Sequence, residues 1–365
     1  MKLWGIDLHT DNFTVTFFDL DDPGKRKKTR RYSLTGKEFE EFLKLLSKND
    51  YIAIETTGNS FWFYNQVKLY VEECFILDTN KIRLEGNKTD KIDSTKILDY
   101  LCYYFLIKGL DKMPNVFVPP VEVQELRGLF STYRLSKKIN TQLRNRIHSV
   151  FKQNGIVLKR GAMDSKISRM YILGINIKDS WKRQVISMMS QLEKAVTEMD
   201  FLQDMIIIKG YGLFKKEIDL LITIKGFSPF TATAFMADVV TIDRFESAKK
   251  ICSYLRTAPK VKSSNKTTHI QKTNKASRSL TCSLLTQSVN HIKVASPYFD
   301  DFYTRMRAGK SAGKSRMALI RKVIVSAYYM LKRKQEFKWQ EENNVTRKKD
   351  MIQRILRRYE KRQLA

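Results

Sequence analysis

Short runs in which apolar and polar side chains alternate fill the start of the chain, and residues 2 to 8, 12 to 19 and 28 to 34 read as three strands. Turn-forming residues separate them at His9 to Asn12 and at Asp21, Asp22, Pro23 and Gly24, which makes an N-terminal meander. A helix follows over 35 to 48, then a short apolar strand over 51 to 55, a helix over 60 to 72 and another strand over 73 to 77. Strands alternating with helices predict an α/β sheet covered on both faces. Asp90 and Asp93 open a further helix running to about Phe105.

Beyond Pro114, Pro119 and Pro120 the period changes from two to that of long helices. The first covers 121 to 153, with Leu135, Ile139, Leu143 and Ile147 four apart on one stripe. A second keeps an apolar heptad through Val185, Met188, Leu192, Ala195, Met199, Leu202 and Ile206, with 155 to 179 as the tip between the two. An antiparallel coiled coil, a dimer seam and ordinary core packing all fit that pattern. From about Ile218 short helices are broken by Gly226, Pro229 and Pro259, a Ser, Thr, Asn and Lys-rich loop spans 262 to 274, and helices resume near Ser277.

Composition sharpens this outline. The 365 residues carry 67 basic and 38 acidic side chains, a net charge of +29, yet 42% are hydrophobic, so a folded polyanion-binding protein fits and a disordered basic tail does not. The charge is unevenly placed. Residues 1 to 100 hold 16 basic and 17 acidic side chains, so the remainder carries +30 and is suited to phosphate neutralisation. Residues 305 to 365 alone carry 19 basic against 5 acidic side chains, and the last thirty are expected to order only on nucleic acid. Cys74, Cys102, Cys252 and Cys282 are too far apart for a zinc site and read as reduced core thiols. Neither a signal peptide nor a membrane span is expected, which predicts a cytoplasmic, nucleoid-associated protein.

The chemistry concentrates in carboxylates. Two-metal phosphodiester chemistry needs several acids converging from different elements, because each hard cation takes oxygen ligands and both flank one phosphate. Asp7 lies mid-to-late in the first strand, Glu55 ends the next buried one, and Asp90 and Asp93 share one face at a helix start. Each alone reads equally as a cap or turn residue; the set, two acids at buried strand ends and two at a helix start, is costly unless paired or metal-bound. His9, two residues from Asp7 on the same strand face, is a candidate contact to the scissile phosphate. His148, His269 and His291 read as phosphate contacts, helix surface or core rather than metal ligands.

Nearly the whole chain resembles the DEDD-type insertion-sequence transposases of the IS110 family, the RNA-guided bridge recombinases, whose N-terminal domain looks like the RuvC resolvase. The resemblance rests on Gly5-Ile6-Asp7, Ile54-Glu55-Thr56-Thr57-Gly58, Lys88-Thr89-Asp90-Lys91-Ile92-Asp93 and Leu143-Arg144-Asn145-Arg146-Ile147-His148. It continues through Ile224-Lys225-Gly226-Phe227-Ser228-Pro229-Phe230-Thr231-Ala232, Asp243-Arg244-Phe245, the stretch 259 to 264, Ser296-Pro297-Tyr298-Phe299, Phe302-Tyr303 and Arg305. The chain departs from that pattern at Ser228, where a second glycine of a helix-hairpin-helix-like turn is usual, and at Asn265 and Asn274, where glycines are usual.

The resemblance implies a ribonuclease-H-like, RuvC-like α/β domain over 1–118, a long-helix coiled-coil region over 119–214, a mainly α C-terminal transposase domain over 215–333 and a basic helical tail over 334–365. It implies Mg²⁺, with Mn²⁺ accepted, on Asp7, Glu55, Asp90 and Asp93, and Ser264 as the nucleophile, with Ser263 as its neighbour in reserve. The implied partners are donor DNA, target DNA, a non-coding guide RNA and further copies of the chain in a dimer or tetramer, with no membrane. Arg127, Arg134, Arg144, Arg146, Lys262, Lys266, Lys272, Arg305, Lys314 and Arg321 are the basic side chains expected on nucleic acid. Two other functions fit the residues: a RuvC-like structure-specific endonuclease using metal-activated water, and a non-enzymatic RNA- or DNA-binding protein whose acids cap and pair.

Overall fold

The computed structural model describes residues 1–22, 27–78, 90–264, 267–273 and 280–363, and the chain forms two units, Met1–Pro119 and Pro120–Ala365. In the first unit the order is β1 (Lys2–Leu8), β2 (Asn12–Asp19), β3 (Lys28–Ser33), α1 (Lys37–Lys44), β4 (Tyr51–Glu55), α2 (Ser60–Val67), β5 (Glu73–Leu77) and α3 (Asp90–Tyr103). The strands make one sheet in the order β3-β2-β1-β4-β5. The β1–β2 and β2–β3 pairs are antiparallel, and the β1–β4 and β4–β5 pairs are parallel. This mixed sheet is compatible with a ribonuclease-H-like start.

Strand alternation sorts the core into two layers. Trp4, Ile6, Leu8, Ile52, Ile54 and Ile76 pack with Phe39 and Phe42 of α1 and Phe63 of α2 on one face. Leu3, Ala53, Phe75 and Leu77 pack with Ile97, Leu98 and Leu101 of α3 on the other. Gly5 belongs to that second face and sits under the backbone of α3. A Cβ there would lie 2.3 Å from the Leu98 nitrogen and 2.4 Å from the Ser94 oxygen. Ser94 is fully buried and shares a 2.8 Å hydrogen bond with Thr16, the residue opposite Gly5 on β2.

Two helices end earlier than their sequence predicts. α1 stops at Lys44 because the buried carboxylate of Asp50 accepts from the Ser47 nitrogen (3.0 Å), the Lys2 nitrogen (2.7 Å) and the Trp4 indole (3.0 Å), turning the chain into β4. α2 stops at Val67, and the Glu72 nitrogen donates to the Asp50 carbonyl at 2.9 Å, which turns the chain into β5. α3 runs on into a π-helical turn, Tyr104–Lys108, before Gly109 closes it at a φ of 94°.

The second unit begins with α4 (Val121–Gln153), α5 (Lys166–Gly174) and α6 (Asp179–Leu221). α5 lies inside the stretch read as a tip. Val123, Leu126 and Phe130 share a core with Ile206, Ile207 and Tyr211, while Ile147, Val150 and Phe151 share one with Val185, Met189 and Leu192. The two long helices are therefore antiparallel partners within one chain, and the heptad of α6 meets α4. The stripe predicted on α4 is corrected: Leu135 and Ile139 are exposed, and the buried line runs through Val123, Leu126, Phe130, Ile147, Val150 and Phe151.

Next come α7 (Pro229–Val239), α8 (Ala248–Tyr254), β6 (Pro259–Ser264), β7 (Thr267–Thr273), α9 (Leu280–Gln287), α10 (Val289–Lys293), α11 (Pro297–Gly309), α12 (Ala312–Arg333) and α13 (Glu342–Gln363). The stretch read as a polar loop is an antiparallel hairpin of β6 and β7. The tail, expected to wait for nucleic acid, is a packed helix: Val345, Ile352 and Ile355 are buried, and Lys348 donates to the carbonyls of Ile222 (2.7 Å) and Ile224 (3.0 Å). Burial pushes that ammonium down to about 8. Among the described residues no helix is long and apolar enough to cross a membrane.

Because the atoms over Gly5 are main chain and cannot rotate away, Gly5→Ala is expected to cost at least the upper part of the roughly 1–3 kcal/mol typical of overpacked cores. Chemical denaturation followed by circular dichroism would show it as a lowered midpoint.

Candidate metal centre and strand-transfer residues

One row of side chains crosses the sheet on the face that carries α3. Arg31 on β3 pairs with Thr14 on β2, and Thr14 pairs with Asp7 on β1. Ile6 pairs with Ile54, so Asp7 and Glu55, each one residue further along parallel strands, lie side by side at the same carboxyl edge and on the same face. α3 descends on that edge with Asp90 and Asp93 in its first turn. Both acids bear electrostatically on Asp7. The predicted convergence of strand-borne and helix-borne acids therefore has a geometric basis for Asp7, Asp90 and Asp93, with Glu55 placed by register.

His9 completes the group. It follows β1, its nitrogen donates to the Asn12 carbonyl at 2.9 Å, and its own carbonyl accepts from Asn59 at 2.7 Å, which ties the end of β1 to the loop after Glu55. Its Nε2 stands 3.3 Å from Asp7 Oδ2 and 3.4 Å from Asp90 Oδ1. The atom is shielded from solvent and makes no hydrogen bond. Ligand atoms of Asp7, His9 and Asp90 all lie within 4.8 Å of one another, close enough to share one cation. The spacing of His9, two residues from Asp7, was the sequence signal for this position.

The electrostatics are those of a centre built for positive charge. Asp7 keeps 6% of its surface exposed, and burial raises its carboxyl above the ordinary carboxylate value, with Asp93 and Asp90 adding to the rise and His9 opposing it. Arg31 reaches Asp90 Oδ2 at 3.7 Å, and Lys96 reaches Asp93 at 3.8 Å, both partly exposed pairs of small worth. A buried carboxylate flanked by two others and an orphaned imidazole nitrogen fit a divalent cation, which would supply the charge that these groups lack.

In the second unit Ser264 is the last residue of β6, paired with Thr267 across the hairpin, and Ser263 pairs with Thr268. The entry to the hairpin is fastened to α12. Arg321 donates twice to the Thr257 carbonyl, at 2.6 and 3.0 Å, just before β6. Farther on, Thr281 of α9 donates through its nitrogen (3.2 Å) and hydroxyl (2.8 Å) to the buried Asp238 of α7, which joins those two helices. Upstream, Gly226 (φ 98°) carries the chain against α10, where a Cβ would meet Ile292 at 2.6 Å, and Ser228 caps α7 by accepting from the Thr231 nitrogen at 3.1 Å. Ser228 has an extended backbone, so that position needs no glycine. Asn265, Lys266 and Asn274 lie outside the described residues.

The basic residues expected on nucleic acid divide by surroundings. Arg127 donates to the Ala237 (2.8 Å) and Asp238 (3.2 Å) carbonyls, Arg144 to Asn140 (2.9 Å), Asp164 and the Met163 carbonyl (3.1 Å), and Arg321 to Thr257. Arg134, Arg146, Arg305 and Lys314 are exposed on helices, and Lys262 and Lys272 lie on the hairpin strands.

Residues 218–304, which include this hairpin, match the family model described as the Transposase IS116/IS110/IS902 family. The match supports a transposase of the IS110 type. It covers roughly a quarter of the chain, from the end of α6 into α11. No curated protein matches the chain significantly. A transposase acts on DNA, so the family accounts for the strongly basic second unit in general terms.

Two outcomes follow from this geometry. In the absence of divalent metal, Asp7→Asn is expected to raise stability by roughly 0.5–2 kcal/mol, as removal of a strained site charge commonly does. The gain should grow as pH rises, because a raised folded carboxyl binds protons that the unfolded chain has released, and ionised Asp7 destabilises above its folded value. Thermal melts of both proteins across pH in a chelating buffer measure it. Arg321→Ala should cost about 1.5–3 kcal/mol, the worth of hydrogen bonds from a charged group, and speed amide hydrogen exchange at the foot of β6.

Proposed function

We propose that this chain is the transposase of an insertion sequence and cuts and rejoins DNA with two sets of groups: a RuvC-like centre of Asp7, Glu55, Asp90 and Asp93 that binds Mg²⁺, or Mn²⁺ in its place, and Ser264 as nucleophile. The observation that carries the reading is the gathering of Asp7, Asp90 and Asp93 at the strand edge where Glu55 also ends, in a chain whose 218–304 segment matches a transposase family. A divalent ion held by these carboxylates would withdraw charge from a phosphate and so lower the barrier to displacement at phosphorus.

Ser264 supplies the attacking oxygen. Its Oγ bonds to phosphorus as one deoxyribose oxygen leaves with the proton, and the reverse step on a second strand rejoins DNA and frees the serine. The hairpin suits this task because the residue just before β6 is bonded to α12, so the strand that carries the nucleophile starts from a fixed point. Exposed Arg134, Arg146, Arg305 and Lys314 track phosphate. A non-coding RNA of the element selects donor and target by base pairing, and copies of the chain assemble as a dimer or tetramer. Exposed Ile167, Met170 and Tyr171 on α5 support assembly, since apolar side chains grouped on one short helix favour cover.

The test is recombination of donor and target DNA in the presence of the element's RNA. Asp7→Ala and Ser264→Ala are each expected to lower product by more than about 10³-fold, the scale seen when a nucleophile is removed. Wild type, and Asp7→Ala far less, should leave a covalent serine adduct on DNA, detected by protease-sensitive gel shift. Recombination that survives Ser264→Ala would favour metal-activated water and a structure-specific nuclease.

A further inference from the structure

The metal-centre reading leaves open which ion the acids take, and the inference here rests on that reading. We infer that His9 is a direct ligand of the centre through Nε2, so that one of its positions is a nitrogen and oxygen site of Asp7, His9 and Asp90 that favours a first-row transition ion over magnesium. Distance is the first argument. Nε2 stands 3.3 and 3.4 Å from its two carboxylate neighbours, is shielded from solvent, and has neither of them in good hydrogen-bond geometry. Ligand atoms of all three residues lie within 4.8 Å of one another, close enough to share one cation.

Placement is the second argument. The backbone of His9 is fixed on both sides, by Asn12 and by Asn59, so the ring is aimed by the fold rather than drawn in by charge alone. Asp90 divides its oxygens: Oδ2 faces Arg31 at 3.7 Å, and Oδ1 faces Nε2. Asp7 presents Oδ2 to the same point from a buried position. Donor chemistry decides the ion. Magnesium prefers oxygen and water, whereas imidazole nitrogen raises affinity for transition ions; manganese accepts both kinds of donor.

Manganese is also the probe. The full chain loaded with Mn²⁺ is expected to show nitrogen-14 modulation in pulsed electron paramagnetic resonance. His9→Gln should abolish the modulation while Mn²⁺ still binds, and should lower the ratio of Mn²⁺ to Mg²⁺ affinity by at least the roughly tenfold that even loss of an outer-shell partner costs. Circular dichroism would report that the partly exposed His9 can be replaced without unfolding. If Mn²⁺ binding is lost in Asp7→Asn but wild type shows no nitrogen modulation, the centre stands and His9 is not its ligand. Modulation that persists in His9→Gln would also overturn the inference. Mn²⁺ binding that is the same in Asp7→Asn as in wild type would remove the metal centre itself.

Discussion

The approach of α3 to β1 at main-chain distance, with Gly5 beneath Ser94 and Leu98, governs where Asp90 and Asp93 stand relative to Asp7. Any side chain at position 5 would hold the helix away, whereas its absence lets the Ser94 hydroxyl reach Thr16 on the neighbouring strand and fixes the helix along its own axis. Ser94 is one turn from Asp90, so fixing Ser94 places Asp90 and Asp93 over the carboxyl edge of β1. The acids do not choose this arrangement. At about 4 Å two like charges repel by about 1 kcal/mol in water and about 4 kcal/mol near a protein surface. Burial of Leu3, Phe75, Leu77, Ile97, Leu98 and Leu101, at about 1.5–3 kcal/mol for each large side chain, outweighs that repulsion and holds the acids together.

The strands of this unit were legible because each is short, apolar or alternating, and bounded by turn residues; the predicted 2 to 8, 12 to 19, 51 to 55 and 73 to 77 coincide with β1, β2, β4 and β5. The acids were legible for the same reason, since a charge at the end of a buried strand interrupts its pattern. His9 was harder to place. Its two-residue spacing gives a face, but only the turn to Asn12 and the bond from Asn59 bring Nε2 in line with Asp90, 81 positions further along the chain. Ser264 as a chemical group was not legible from spacing at all and entered through resemblance alone.

The misread elements share a physical cause, which is that a simple period fails where the supporting surface is narrow or curved. Residues four apart advance about 400° around a helix, so Leu135 and Ile147 face directions about 120° apart and cannot line one straight contact. Their partner α6 covers the end near Ile147 and leaves Leu135 and Ile139 to solvent. In β6 and β7 the apolar pattern is reduced to Val261 and Ile270, paired across the hairpin, amid Lys, Ser and Thr. The strand signal lay in β-branched threonines rather than in alternation. In α13 three apolar residues, Val345, Ile352 and Ile355, suffice to bury one face, and the dense charge around them hides so thin a stripe.

Separation of charge along the chain resolves a conflict between gripping phosphate and holding metal. A divalent ion entering a region of net +30 would be repelled, while carboxylates set in that region would be neutralised by lysine and arginine. The first hundred residues, at net −1, avoid both effects. Arg31 is the nearest test of that balance, since it stands in the same cross-sheet row as Asp7. Its Nε is spent on Asn12 at 3.0 Å, and Nη1 reaches Asp90 only at 3.7 Å with more than half of the side chain exposed. An exposed pair of that kind is worth about 0–1 kcal/mol, too little to exclude a doubly charged ion from Oδ1 of the same carboxylate. It is enough to orient Asp90, so at the proposed centre this cation would position the carboxylate for a metal instead of competing with it.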